Sequence, residues 1–176
     1  MDTKVQMLKK LNLFAIAKYR KLEYFLYLTA VIVIIGVYLY YNRQITKKKK
    51  EITDMTNTLD KIPMQMHGIN GVDQMYQYRL RDYYIASSYN SCCPGQFLDD
   101  YVSLEAIANV LKKGVRLVDL EIYSYGGRAV VAASPSPSYD FKGTYNCLPL
   151  NEVFSTINGY AFGGEVPNPN DPLFIH

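Results

Sequence analysis

The hydrophobic pattern of the chain is dominated by one uninterrupted apolar run, Tyr24–Tyr41, which contains no charged residue. As an α-helix, its roughly 18 residues would extend about 27 Å, close to the hydrocarbon thickness of a bilayer at about 30 Å. Tyrosines lie at both ends of the run, where membrane helices favour amphipathic rings. The alternative is a buried core helix, but such a helix usually carries a polar stripe that this run lacks. The pattern therefore predicts a single transmembrane helix, residues 24–41.

The segments on either side of this run are polar in different ways. Residues 1–23 place apolar side chains at helical spacing among lysines, which predicts a basic amphipathic helix. Residues 42–75 lack a wide apolar face, so we expect a polar linker there. Its first part, from Lys47 to Lys61, is expected to be a frayed helix or a spacer, and Pro63, Gly68 and Gly71 predict a loop after it. The run ends in bulky tyrosines followed by lysines, which favours an anchor over a cleaved signal peptide.

Basic residues flank the run on both sides, and we expect them at the membrane interface. They are Lys18, Arg20, Lys21, Arg43, Lys47, Lys48, Lys49 and Lys50. Because the positive charges before and after the run are similar in number, the positive-inside rule leaves the orientation of the protein open. Residues 1–50 carry a net charge of +9 and residues 51–176 a net charge of −6. The acidic part lacks the clustered positive charge of a nucleic-acid-binding face, so we expect no nucleic-acid partner. The expected partners are a lipid bilayer and other proteins.

Residues 76–176 show shorter patterns that predict an α/β domain. The predicted elements are a strand in Arg81–Ser88, a helix over Ser103–Lys113, a strand over Val115–Tyr123, a strand over Arg128–Ala133, a helix over Leu150–Phe162 and a strand at Leu173–His176. Gly126-Gly127 predicts a hairpin turn between the second and third strands. Alternating strands and helices indicate a parallel sheet. The odd count of three cysteines, with no CxxC, argues against a disulfide framework or a zinc site.

Three blocks of this domain resemble the X region of the phosphatidylinositol-specific phospholipase C family. YIASSYNS from Tyr84 is similar to the family's strand and SSHNTY motif, and LKKGVRLVDLEIY from Leu111 is similar to LRRGCRCVELDVW. LNEVFSTINGYAF from Leu150 is similar to FRDVIEAINEYAF, and the blocks follow the family's order and spacing. The resemblance implies a partial or distorted (β/α)₈, TIM-type barrel. An anchored, histidine-poor domain with the run NPNDPLF also resembles proteins of large DNA viruses, which implies a virion with an internal membrane.

The chain departs from the family at the catalytic positions. The family uses two histidines as general base and general acid, because imidazole titrates near neutral pH. Tyr89 occupies the place of the first histidine, and Val130–Pro135, which contains the place of the second, has none. His67 and His176 are the histidines of this chain, and we interpret both as incidental. The departure predicts a catalytically degenerate protein, and therefore no catalytic residues.

The calcium-binding positions are better preserved. In calcium-dependent members an asparagine and two strand carboxylates bind Ca²⁺, and the matching residues are Asn90, Asp119 and Glu121. Asp119 and Glu121 are two residues apart on a predicted strand, so both would point to one face. The alternative is a structural pairing of the carboxylates with Arg116 or Arg128. The expected cofactor is therefore either none or Ca²⁺.

Three functions remain open on the sequence alone. The first is a membrane-anchored, non-enzymatic protein with a structural or binding role, such as a minor capsid protein that links an internal virion membrane to the capsid. The second is an active metal-dependent phosphoric diester hydrolase acting on phosphoinositides. The third is a lipid-headgroup module based on the basic flanks of the apolar run, which is compatible with the first.

Overall fold

The computed structural model describes residues 2–63, 67–69, 77–135 and 143–176, with side chains described from residue 19 onward. It divides into two compact units, Met1–Lys47 and Lys48–His176. The elements are α1 (Asp2–Asp60), a 3₁₀ turn (Leu80–Asp82), β1 (Ser87–Ser88), α2 (Leu104–Lys112), β2 (Leu117–Val118), β3 (Glu121–Tyr125), β4 (Arg128–Ala132), β5 (Leu148–Pro149), α3 (Leu150–Ala161) and β6 (Phe174–Ile175). Parts of the expected linker, 64–66 and 70–75, lie outside the described residues, as do 76 and 136–142 of the domain.

Helix α1 runs without a break from Asp2 to Asp60 and contains the predicted apolar run. The side chains of Tyr24–Tyr41 are exposed, except for half-buried Thr29. Within the described part of the chain, this helix is the one that is long and apolar enough to cross a membrane. The predicted span is thus supported by length and composition, whereas the amphipathic face expected before Lys18 falls on undescribed side chains.

The last turns of α1 belong to the second unit, where the sequence predicts a linker. Met55 and Leu59 pack against the domain core, and Asn109 Nδ2 donates to Thr56 Oγ1 at 3.0 Å. The half-buried positions of this segment recur every three or four residues, which is the spacing of one helix face. The apolar stripe is narrow because polar residues occupy the remaining positions, so the sequence pattern resembles a spacer.

The second unit contains a parallel three-stranded sheet in the order β1-β2-β6. The registers pair Ser87 with Leu117 and Leu117 with Phe174. Of the strand expected within Arg81–Ser88, Ser87–Ser88 forms β1, whereas Leu80–Asp82 forms a 3₁₀ turn. Helices α2 and α3 bury Ile107, Leu111 and Val153 in the core beside this sheet.

A second, antiparallel sheet has the order β3-β4-β5. The strand predicted over Val115–Tyr123 is therefore two strands, one in each sheet, separated by Asp119 and Leu120. The predicted Gly126-Gly127 turn is present, with φ of +58° and +73° that glycine adopts without steric cost. A closed barrel pairs every strand on both sides, whereas β1 and β6 are edge strands, so the described residues form two open sheets and no closed barrel.

The ends of α2 follow the predicted signals. Ser103 caps the helix, since its Oγ accepts a hydrogen bond from the backbone N–H of Glu105 at 3.2 Å. Gly114, at φ +83°, ends it in the left-handed conformation. α2 therefore has a defined start and a defined end, and the turn after it leads into β2.

Candidate functional site

Polar side chains gather where the parallel strands end. Asn90 follows β1, Asp119 follows β2 and His176 follows β6, so the strand ends bring together three residues that are distant in sequence. Glu121 joins them as the first residue of β3. The carboxyl ends of parallel strands are where α/β proteins commonly bind ligands. We therefore take this group as the candidate functional site.

Asn90 forms hydrogen bonds to both carboxylates of the site. It is buried, with 2% of its surface exposed, and it adopts a left-handed φ of +44°. Its side-chain Nδ2 donates to Glu121 Oε1 at 2.8 Å, and its backbone N–H donates to Asp119 Oδ2 at 3.2 Å. Asparagine tolerates this backbone region better than most residues, so the strained conformation is compatible with a residue that binds both carboxylates.

The remaining carboxylate oxygens also accept hydrogen bonds from the protein. Glu121 Oε2 accepts from the Tyr123 hydroxyl at 2.7 Å and from the backbone N–H of Ser134 at 2.8 Å. Asp119 Oδ1 lies 2.6 Å from His176 Nδ1, the nitrogen that can donate to it. Each of the four carboxylate oxygens therefore has a partner within the domain. The two carboxylates are therefore held in a hydrogen-bonded network.

Strand pairing fixes His176 beside Asp119. The backbone N–H of His176 donates to Val118 O at 2.9 Å, and the N–H of Leu120 donates to His176 O at 3.1 Å. The Asp119 side chain is 14% exposed and the His176 side chain is 86% exposed. The imidazole is thus anchored through Nδ1 to a mostly buried carboxylate, while its ring edge faces solvent. The sequence interpretation of His176 as incidental missed this contact.

The arrangement can be tested against the expected Ca²⁺ site. Ca²⁺ takes six to eight oxygen ligands, and carboxylate and amide oxygens suit it. Asn90 and Glu121 supply such oxygens, but Asn90 directs its amino group, not its oxygen, towards Glu121. To use the Asn90 oxygen, a cation would have to displace the hydrogen bond between Asn90 and Glu121, so the Asn90 amide as oriented here does not fit a cation ligand. Within the described residues, no three His, Cys, Asp or Glu side chains come together in a way that could hold a metal ion.

Tyr89, at the position of the family's first histidine, lies at the surface of the domain. Its side chain is 67% exposed, and its ring packs edge to face on Phe97 with centroids 5.7 Å apart. The place of the second histidine, in Val130–Pro135, is strand and loop with buried Val130, Val131, Ala132, Ala133 and Ser134. Those side chains offer no group that titrates near neutral pH. The Ser134 backbone N–H instead supports Glu121, as described above.

Two cysteines lie beside the site. Burial raises the pKa of Cys92 to about 12. The pKa of Cys93 is also raised to about 12, first by burial and then by the charges of Cys92, Glu121 and Asp100. A neutral thiol is a weak nucleophile, so neither cysteine supplies the chemistry that the histidine positions lack.

The predicted membrane-interface residues have different environments. Those with exposed side chains are Arg20, Lys21, Arg43, Lys49 and Lys50. Lys47 and Lys48 are half-buried, and Lys48 Nζ lies 5.9 Å from the centroid of the Tyr101 ring. The side chain of Lys18 lies outside the described residues. Their proposed contact with a membrane remains a prediction.

We expect Asn90 to contribute to the stability of the domain through this network. Asn90→Ala removes the side-chain hydrogen bond to the Glu121 carboxylate. It also places alanine at a φ of +44°, a left-handed backbone angle that alanine tolerates less well than asparagine. We therefore expect the unfolding free energy to fall by about 2–4 kcal/mol. Asn90→Gly removes the same bond but accepts the backbone angle, so we expect it to be about 1 kcal/mol more stable than Asn90→Ala. Urea unfolding of the two variants checks this order. Wild-type stability in Asn90→Ala would contradict the structural role of the residue.

The family described as phosphatidylinositol-specific phospholipase C, X domain, matches residues 76–169, which is more than half of the chain. A comparison with curated proteins gave no significant match. The matched range contains Asn90, Asp119 and Glu121 and ends before His176.

Proposed function

Because the chain belongs to the phosphatidylinositol-specific phospholipase C family through its X domain, we propose that it is a membrane-anchored, catalytically degenerate member with a structural or binding role. The proposal joins two features of the chain. One is the helix that is long and apolar enough to span a membrane. The other is a phospholipase C-like domain in which Tyr89 replaces the first histidine of the family.

The closed hydrogen-bond network is the observation that carries the proposal. Both oxygens of Asp119 and both oxygens of Glu121 have protein partners, including the Asn90 side chain that would otherwise offer its oxygen to a cation. Such a network stabilises two partly buried carboxylates without a metal ion, since each charge is met by hydrogen bonds. We infer that the site is a structural remnant of a catalytic centre and that the domain uses no cofactor.

Other proteins of a membrane-associated assembly are the partners we propose for this domain. Support comes from large exposed side chains of the second unit, among them Tyr84, Ile122, Tyr125 and Phe162, since aromatic residues are enriched in protein interfaces. The resemblance to proteins of large DNA viruses leads us to propose capsid proteins and an internal virion membrane as the setting. We further propose that the β1-β2-β6 sheet corresponds to the first strands of the family's barrel.

The test is a cleavage assay on the full chain in liposomes that contain phosphatidylinositol, with Ca²⁺ or Mg²⁺ present. We expect inositol phosphate release to equal that of liposomes without protein, because the imidazole pair required for proton transfer is missing at the family positions. We also expect Asp119→Asn to give the same result as the wild type. Release above this background that Asp119→Asn abolishes would overturn the proposal. The release is measured by chromatography of the aqueous phase.

An active phosphoric diester hydrolase is the second candidate, and His176 is the observation that favours it. A carboxylate bonded to Nδ1 fixes the tautomer and orientation of an imidazole and leaves Nε2 to face a substrate. If this pair acts on phosphodiesters, His176→Gln abolishes cleavage, whereas His67→Gln, which changes the chain's other histidine, leaves it intact. No cleavage by the wild type would remove this candidate, and cleavage that persists in His176→Gln would exclude His176 from its mechanism.

A further inference from the structure

Four consecutive lysines, Lys47–Lys50, follow the apolar run within helix α1, and the next residue is Glu51. Consecutive residues of an α-helix are turned by about 100° from one another, so four lysines surround the helix rather than forming one stripe. Their side chains are nevertheless not equivalent. Lys49 and Lys50 are exposed, while Lys48 turns towards the Tyr101 ring.

Lys49 and Lys50 also differ from other lysines of the second unit in their pairing. Lys112 Nζ lies 2.9 Å from Glu165 Oε2, and Lys113 Nζ lies 2.9 Å from Asp60 Oδ1. Neither Lys49 nor Lys50 forms an ion pair in the part of the chain that the structure describes. Their two positive charges are therefore available to an anion from outside the protein.

We propose that Lys49 and Lys50 bind the phosphate-bearing headgroups of anionic phospholipids, an inference that rests on the proposed membrane anchoring. The two lysines follow Tyr41, the end of the apolar run, by eight and nine residues in the same helix. A lysine near an anionic leaflet is attracted within a Debye length, about 8 Å at physiological ionic strength. The long, flexible side chain extends that reach by directing its ammonium group to the headgroups. The anion that these two lysines bind is therefore the phosphate group of a lipid headgroup.

The experiment uses the full chain reconstituted in phosphatidylcholine bilayers with a trace of spin-labelled lipid. Electron paramagnetic resonance then gives the association of spin-labelled phosphatidylglycerol with the protein, relative to spin-labelled phosphatidylcholine. We expect the wild type to select phosphatidylglycerol and the double variant Lys49→Gln, Lys50→Gln to lose at least about fivefold of that selectivity. The charge-preserving variant Lys49→Arg, Lys50→Arg is expected to keep the selectivity for phosphatidylglycerol. Salt at about 0.5 M, roughly three times the physiological ionic strength, is expected to weaken that selectivity.

Lys61 provides a matched control. It is an exposed lysine just past the end of α1, eleven residues beyond Lys50, so Lys61→Gln removes the same charge farther along the chain. We expect Lys61→Gln to retain the wild-type selectivity. Equal selectivity in the wild type and in the Lys49→Gln, Lys50→Gln variant would overturn the inference.

Extraction of the same vesicles at alkaline pH separates this inference from the proposed anchoring. A chain that stays in the pellet but shows no selectivity for phosphatidylglycerol overturns the headgroup site alone. A chain that is released into the supernatant overturns the anchoring, and the headgroup site with it.

Discussion

A fragment that begins at Lys48 is expected to be more stable to unfolding than one that begins at Lys61, by about 3 kcal/mol. The shorter fragment loses the packing of Met55 and Leu59, which contributes about 1 kcal/mol for each partly buried side chain. It also loses the hydrogen bond between Thr56 and Asn109, worth about 1 kcal/mol. The ion pair between Asp60 and Lys113 adds little, because Asp60 is 63% exposed.

Urea unfolding, followed by far-ultraviolet circular dichroism, measures the difference between the two fragments. A paired experiment in the longer fragment separates packing from chain length. Leu59→Ala should lower the free energy of unfolding by about 1–2 kcal/mol, whereas Asn57→Ala, on the exposed side of the same helix, should change it by less than about 0.5 kcal/mol. Identical unfolding midpoints for the fragments starting at Lys48 and Lys61 would show that the end of α1 adds nothing to the domain.

Arg116→Leu is expected to be more destabilising still, at about 3–5 kcal/mol. Arg116 is 5% exposed, and its guanidinium donates to Ala161 O at 2.8 Å, to Asn168 Oδ1 at 3.0 Å and to Asn168 O. Burial lowers the pKa of Arg116, and the charge of Asp171 opposes that shift. Leucine matches the apolar stem but leaves the buried acceptors without donors, and that desolvation accounts for the loss.

Arg128→Leu is the control for this substitution. Arg128 is exposed at the start of β4, so the same chemical change there should alter the unfolding free energy by less than about 0.5 kcal/mol. Both variants are compared by urea unfolding under identical conditions. If the two variants are equally stable, the hydrogen bonds between Arg116 and the segment around Asn168 do not contribute to stability.

Helix ends and turns were the features that local sequence signals predicted well. As expected, α2 begins after Ser103 and ends before Gly114, and Gly126-Gly127 forms the hairpin turn. Each of these features depends on a backbone requirement that only a few residue types meet, so the residue type itself is informative. The position of α3 follows from a clear apolar face in the same way.

The division of Val115–Tyr123 between two sheets could not be predicted by the same means. The apolar alternation continues through Asp119 and Leu120, and Leu120 is itself buried, although the chain leaves one sheet there and enters the other. Alternation reports which side chains are buried, not which strand is the neighbour. The partner of each strand depends on residues far away in sequence.

The residues of the candidate site could also be predicted only in part from the sequence. The resemblance identified Asn90, Asp119 and Glu121, and the structure brings these three together. It did not identify His176, because its partner Asp119 lies 57 residues earlier and the contact exists only once β6 pairs with β2. The backbone N–H of Ser134 has no sequence signature at all, yet it supports Glu121. Contacts that depend on strand order are accessible only from the fold.

The order of strands in the parallel sheet also sets the timing of folding during synthesis. Val118 in the central strand pairs with Ile175, so this pairing forms only after Ile175 has left the ribosome. At about 5–20 residues per second, several seconds separate the synthesis of these two strands. During that interval the apolar face of α2, with Ile107 and Leu111, lacks its final cover. We therefore expect the nascent chain to expose this face to chaperones over this interval, after the apolar segment of α1 has already emerged.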